Sequence, residues 1–176
     1  MIEGVELATR AQRVRVIGFD VDGVCTDARL YYGASGEVMH AFSARDGLGI
    51  VLARKAGLTL AAISGRTSAS VTARLSELKV PHILQGVPRK ADAFALVLQQ
   101  VGASWQEAAF IGDDVNDVPC LKRVGLAACV ADAADGVAGF VHVVTRRRGG
   151  EGALRELIEI VLRAQGRWSV DGEELV

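Results

Sequence analysis

The sequence predicts an α/β fold built on a doubly wound parallel sheet, Rossmann-like in arrangement. Short apolar runs rich in Val, Ile, Leu and Ala recur along the 176 residues, each bounded by Gly, Ser or Asp, as strands buried on both faces require. Between them lie stretches with helical apolar spacing and short linkers, the alternation that produces parallel strands with crossover helices. Several runs deliver acidic or hydroxyl residues at their carboxyl ends, where such sheets bind ligands.

Residues 5–12 mix Leu7, Ala8 and Ala11 with charges and predict a short helix. The run 14–19 predicts the first core strand and hands the chain to Asp20-Val21-Asp22-Gly23-Val24-Cys25-Thr26-Asp27. Strand formers at 29–32 and 37–42 flank Gly33-Ala34-Ser35-Gly36, predicting a β-hairpin inserted over 29–43. A lone hairpin bearing Tyr31, Tyr32, Met39 and Phe42 is marginal in water, so it is expected to pack on another subunit. A helix over 46–56 closed by Gly57, a strand over 58–63 ending in Ser64-Gly65-Arg66, a helix over 68–78 and a strand over 80–84 follow. Next come a helix over 88–101 with Lys90 in its first turn and a capping box from Ser104 to Glu107. The strand 108–111 delivers Gly112-Asp113-Asp114-Val115-Asn116-Asp117. A helix over 119–124, strands over 126–130 and 140–144, a mobile polar turn over 146–152 and a helix over 153–164 complete the pattern. The chain 1–176 reads as one domain in which 146–176 form the C-terminal tail and helix.

A net charge of −1 with 5% aromatic residues leaves no basic, aromatic face for nucleic acid or an anionic membrane. Cys25, Cys120 and Cys129 are odd in number and lack CxxC spacing, which argues against a disulfide framework or a zinc site. They read as reduced thiols of a cytoplasmic protein. No signal-peptide stretch and no transmembrane-length window is expected. His40, His82 and His142 fall on predicted strands without evident partners and read as structural.

Asp20 and Asp22 at one strand end repel each other unless positive charge lies beside them, a need that a hard divalent cation with oxygen ligands answers. A simple turn pair of aspartates is the plain alternative. Ser64, Lys90, Asp113, Asp114 and Asp117 follow other strands and would converge on the same crevice. In order, DxDGxxTD at Asp20 to Asp27, Ser64 of Ile63-Ser64-Gly65-Arg66, Lys90 and GDDxND at Gly112 to Asp117 resemble the four motifs of the haloacid dehalogenase superfamily of aspartate-dependent phosphohydrolases.

The resemblance implies a Mg2+-dependent phosphomonoesterase. Asp20 would attack phosphorus to form an aspartyl-phosphate, and Asp22 would protonate the leaving alkoxide and then deprotonate water. Neighbouring carboxylates and partial burial are expected to raise the Asp22 pKa. Asp20, the backbone carbonyl of Asp22 and Asp113 would hold Mg2+, while Ser64 and Lys90 bind phosphoryl oxygens. Asp114, Asn116 and Asp117 would act from behind them, with Asp117 orienting Lys90. A receiver-like phosphoacceptor domain would also place Asp and Mg2+ at strand ends, but it has no need of an acid/base such as Asp22.

The gaps between motifs leave no room for a cap domain. The hairpin, Arg45-Asp46-Gly47-Leu48-Gly49 and Gly149-Gly150-Glu151-Gly152-Ala153 are similar to the capless subgroup that cleaves 3-deoxy-D-manno-octulosonate (KDO) 8-phosphate in lipopolysaccharide precursor synthesis. That subgroup implies a small phosphorylated sugar acid as substrate. It also implies a homotetramer in which a neighbour's C-terminal tail completes the active site. Arg45 and Arg66 are candidates for the sugar-acid carboxylate, and the arginines 146–148 read as a solvated run. Glu151 departs from the cationic or neutral residue expected there, and Asn116 from an apolar one. These departures keep a nonulosonate (sialic-acid-type) 9-phosphate as the alternative substrate.

Overall fold

The computed structural model describes residues 4–34 and 36–168. Helix α1 (Gly4–Gln12) leads into β1 (Val16–Phe19), followed by β2 (Tyr31–Gly33), β3 (Gly36–Met39), α2 (Ala44–Lys55), β4 (Thr59–Ile63), α3 (Ala69–Glu77) and β5 (His82–Leu84). The chain continues through α4 (Lys90–Gln100), β6 (Ala108–Gly112), α5 (Val118–Leu121), β7 (Leu126–Cys129), β8 (Val143–Val144) and α6 (Ala153–Ala164). Six strands form one sheet in the order β5-β4-β1-β6-β7-β8, every neighbouring pair parallel. The chain leaves β1 toward β4 and β5, then returns to β6 on the other side. The strand order therefore reverses between β1 and β6, the switch point where open α/β sheets form a crevice.

Both sheet faces are dry, which is why the strands read as continuous apolar runs. Ile17, Phe19, Leu60, Ala62 and Ile111 pack with Ile50, Ala53, Leu154, Leu157 and Ile158 of α2 and α6. On the opposite face, Val16, Ala61, Ile63 and Phe110 meet Phe94, Val97 and Leu98 of α4 and Leu121 of α5. In α6, Leu154, Leu157, Ile158, Val161 and Leu162 are all buried, the i, i+3, i+4 pattern of a core-facing helix. Cys25, Cys120 and Cys129 are free and buried. Among the described residues no helix is long and apolar enough to cross a membrane.

Three expectations are corrected. The strand expected over 140–144 is only Val143–Val144, because Val137–Phe140 forms a 3-10 turn entered through Gly136 at φ 86°. Phe140 is exposed there, with Lys122 Nζ 4.5 Å from its ring centre. The hairpin is tighter than expected, since Gly33 pairs with Gly36; Ser35 of its turn lies outside the described residues. Phe42, expected on the hairpin, is partly buried and packs against the main core.

The third correction concerns 146–152, which is tethered rather than mobile. Gly149 N–H donates to Asp132 Oδ1 at 2.9 Å, Gly150 N–H to the Val24 carbonyl at 2.9 Å, and Gly152 N–H to Asp46 Oδ2 at 3.1 Å. Asp46 Oδ1 also accepts from Arg155 N–H at 2.8 Å, so one buried carboxylate of α2 serves the otherwise unsatisfied first turn of α6.

Candidate active site

Asp20 is the first residue beyond β1, and its N–H still donates to the Ile111 carbonyl at 3.0 Å, which fixes it to the β6 edge. The loop then coils on itself: the N–H groups of Val24, Cys25 and Thr26 all point at the Val21 carbonyl, at 3.3, 2.9 and 3.1 Å. Gly23 sits at φ +95°, where a side chain would also collide with the Asp113 carboxylate. A Cβ on Gly149 would in turn strike the Gly23 carbonyl. The segment around Gly149 thus clasps the Asp20 loop from outside while Asp113 backs it from β6.

Lys90, the first residue of α4, reaches into this site with only 3% of its surface exposed. Its Nζ lies 2.8 Å from Asp20 Oδ1 and donates to Asp117 Oδ1 at 2.7 Å. Asp117 Oδ2 accepts from the N–H groups of Asp113 and Asp114 at 3.0 and 3.4 Å. Both oxygens of fully buried Asp117 are therefore engaged, and it sets the position of Lys90 and of the turn after β6 together.

Carboxyl oxygens of Asp20, Asp113 and Asp117 lie within 4.8 Å of one another. Burial, followed by the Asp117 charge, pushes Asp20 up to about 6 against the pull of Lys90. Burial and the charges of Asp20 and Asp117 push Asp113 up to about 8. For Lys90, burial works against the ammonium, but Asp117 and Asp20 outweigh it and hold the group above its usual range. Three crowded carboxyls facing one ammonium leave a deficit of positive charge. The donor set is all hard oxygen, and Asp117 is already committed. Asp20 and Asp113 thus fit a hard divalent cation such as Mg2+.

Asp22 stands on the outer side of this platform. Ser64, the first residue beyond β4, donates from Oγ to Asp22 Oδ2 at 3.3 Å and accepts from Arg66 N–H at 3.1 Å. Arg66 Nε is 3.8 Å from Asp22 Oδ2, and Arg66 Nη2 donates to the Tyr32 hydroxyl at 3.3 Å. Arg66 is thereby placed between the hairpin and Asp22.

The structure draws together Asp20, Asp22, Ser64, Arg66, Lys90, Asp113 and Asp117, but not every residue expected there. Exposed Arg45 lines a cavity of about 420 Å³ with Leu48, Arg146, Arg147, Glu151 and Arg155, along α2 and α6. Asp114 and Asn116 are exposed, and Asp114 Oδ1 accepts from its neighbour Val115 N–H. His40 is a clear correction: just past β3, its Nε2 lies 3.2 Å from Asp22 Oδ1 and its Nδ1 2.8 Å from Ser70 Oγ. The available signal was a histidine at the foot of a hairpin inserted directly after the Asp22 loop. His142 has a backbone partner, accepting from Ala127 N–H at 2.9 Å.

A family model described as haloacid dehalogenase-like hydrolase matches residues 37–125. The chain is 37% identical to the Escherichia coli 3-deoxy-D-manno-octulosonate 8-phosphate phosphatase KdsC, over 92% of this chain and 86% of that protein. The structure of 3-deoxy-D-manno-octulosonate 8-phosphate phosphatase from Yersinia pestis superposes with a TM-score of 0.91 at 36% identity, covering 93% of this chain and 88% of that one. The Moraxella catarrhalis phosphatase of the same name, in complex with magnesium ion, phosphate ion and KDO, superposes at 0.90 with 32% identity, covering 93% and 94%. Similarity over nearly the whole length, joined to an aspartate platform at the switch point of a parallel sheet, means that the chain belongs to the haloacid dehalogenase-like hydrolases.

Proposed function

We propose that the chain is a cytoplasmic Mg2+-dependent phosphatase that hydrolyses 3-deoxy-D-manno-octulosonate 8-phosphate to the free sugar acid and phosphate, in lipopolysaccharide precursor synthesis. The observation that carries this reading is the buried platform in which Lys90 sits between Asp20 and Asp117 opposite Asp113, in a chain so similar to phosphatases named for that ester.

A phosphate monoester dianion repels nucleophiles, so the site must neutralise charge and align attack in line. Asp20 is the nucleophile: ion pairing with Lys90 favours its ionised form against burial and orients one oxygen away from phosphorus. Asp20, Asp113 and the Asp22 carbonyl would hold Mg2+, which would supply charge neutralisation at the phosphoryl oxygens. Lys90 and Ser64 bind the remaining phosphoryl oxygens. As the phosphorus–oxygen bond to the sugar breaks, Asp22 gives its proton to the departing alkoxide. It then takes one from the water that hydrolyses the aspartyl-phosphate. Arg66, 3.8 Å from Asp22 Oδ2, would pair with the sugar-acid carboxylate.

The hairpin leaves Tyr32 64% and Met39 55% exposed, apolar surface suited to a homotetramer in which neighbouring hairpins pack together. A neighbour's C-terminal tail, within 146–176, would then close the site; its last residues, 169–176, lie outside the described residues. The test is kcat/KM with Mg2+ for KDO 8-phosphate beside a nonulosonate 9-phosphate. A preference of about a hundredfold for the first, nearly 3 kcal/mol of transition-state discrimination, is expected. The reverse preference would overturn the substrate and make Glu151 the place to look for the switch.

A further inference from the structure

His40 does not match any of the family motifs, yet its fully buried side chain faces the acid/base Asp22. Nε2 lies 3.2 Å from Asp22 Oδ1, as an electrostatic contact rather than a linear hydrogen bond. A carboxylate oxygen repels a bare ring nitrogen, so Nε2 is the one that carries hydrogen. In the neutral ring Nδ1 then accepts from the Ser70 hydroxyl at 2.8 Å. Ser70 Oγ is 2.9 Å from Ser68 Oγ, and Ser68 N–H donates to Gln85 Oε1 at 2.7 Å. Gln85 Nε2 donates to Thr72 Oγ1 at 2.7 Å. A polar chain thus runs from β5 through the start of α3 to the ring, and the ring ends on Asp22.

The two oxygens of Asp22 face different surroundings. Oδ2 lies beside Ser64 Oγ, the hydroxyl assigned to a phosphoryl oxygen, and 3.8 Å from Arg66 Nε, assigned to the sugar acid, so it is the oxygen on the substrate side. Oδ1 faces His40. We propose that His40 is a positioning residue for the general acid: anchored by Ser70, it holds Asp22 by Oδ1 so that Oδ2 delivers the proton to the leaving alkoxide. The Asp20–phosphorus bond forms, the phosphorus–oxygen bond breaks, and the proton passes from Asp22 Oδ2 to the departing oxygen. The hairpin, beyond any role in assembly, then brings an imidazole to the reaction centre. This inference rests on the phosphatase reading but not on which sugar acid is cleaved.

The experiment compares kcat/KM for benzyl phosphate, whose alkoxide must be protonated to leave, with that for 4-nitrophenyl phosphate, whose phenolate leaves unaided. General acid catalysis is worth about 10²–10⁴-fold, so His40→Ala is expected to lose on the order of 30-fold on the benzyl ester and about threefold or less on the nitrophenyl ester. His40→Gln, which restores a donor amide, should recover most of the benzyl loss. Ser70→Ala, which leaves His40 Nδ1 only the longer contact to Ser68 Oγ at 3.5 Å, should show the same selective loss at smaller size and guards against misfolding of the ring variants. Against an Asp22→Asn background, His40→Ala should add little, since the group it positions is gone. Equal losses on both esters, or full additivity with Asp22→Asn, would overturn the role of His40. A wild-type chain that hydrolysed neither these esters nor a sugar-acid phosphate would overturn the phosphatase reading itself, and this role with it.

Discussion

Asp20, Lys90, Asp113 and Asp117 are packed at the sheet's switch point so that each anchors another, whereas the hairpin beside them leaves Tyr32 and Met39 exposed. The first region is completed within one chain, by strand ends and the first turn of α4. The second gives its apolar surface no cover from the described residues, yet its foot supplies His40 to Asp22. The contrast separates two tasks. Phosphoryl transfer needs a rigid, charge-matched platform, while protonation of the leaving group and substrate closure can be served by an attached element whose own position depends on partners.

The largest break in this comparison should come from the platform. Asp117→Ala leaves buried Lys90 short of one carboxylate and two N–H groups without an acceptor. A loss of about 3–5 kcal/mol in denaturant unfolding is expected, with turnover falling at least as steeply as in His40→Ala. Wild-type-like stability would mean that Asp117 does not organise the site. Next in size is the clasp: Gly149→Ala drives a methyl into the Gly23 carbonyl and should cost about 1–3 kcal/mol. It should lower kcat more than it raises KM, because it displaces the loop bearing Asp20 and Asp22. An unchanged kcat would show that this loop is held without the clasp.

Asp46 gives a smaller and pH-dependent effect. Burial raises its pKa above the ordinary 3.8 despite the N–H donors of Arg155 and Gly152. A carboxyl so raised contributes most fully to stability below its unfolded-state value, and that contribution declines as pH rises through the folded-state value. Asp46→Asn, which does not titrate, should cost about 1–2 kcal/mol at low pH. The wild-type advantage should narrow with rising pH across the acid range; an advantage that widened would contradict the direction of the shift. Smallest for the chain's own stability is the hairpin pair Tyr32→Ser with Met39→Ser, expected to change it by about 0.5 kcal/mol or less. The same pair should shift the assembly toward smaller species in sedimentation; unaltered sedimentation would remove the hairpin from the interface.

The sheet was legible because strands buried on both faces leave an unbroken apolar signature, as in Leu60, Ala61, Ala62 and Ile63. Residues after those strands were legible as chemistry because Asp, Ser and Lys at several strand ends converge only in such a fold. Val137–Phe140 was not, because a two-residue edge strand carries too little pattern to reveal the turn before it. His40 escaped because its meaning lies in a contact with a residue eighteen positions earlier, set by how the hairpin folds back. Gly149 and Gly150 read as a loose turn since their reason, close approach to Gly23 and Thr26, is tertiary. Arg45 lies near the motifs in sequence but points its helix position toward α6, because Asp46 beside it is committed to that helix's first turn.

The measurement that bears most directly on the chemistry is an acid quench during the first turnover with Mg2+ and a substrate carrying radiolabelled phosphate, followed by peptide mapping. Label bound to the Asp20 peptide, released by hydroxylamine as an acyl phosphate should be and absent in Asp20→Asn, is the predicted result. Turnover with no label on the chain, or label residing on Ser64, would contradict the assignment of Asp20 as nucleophile and the platform built around it.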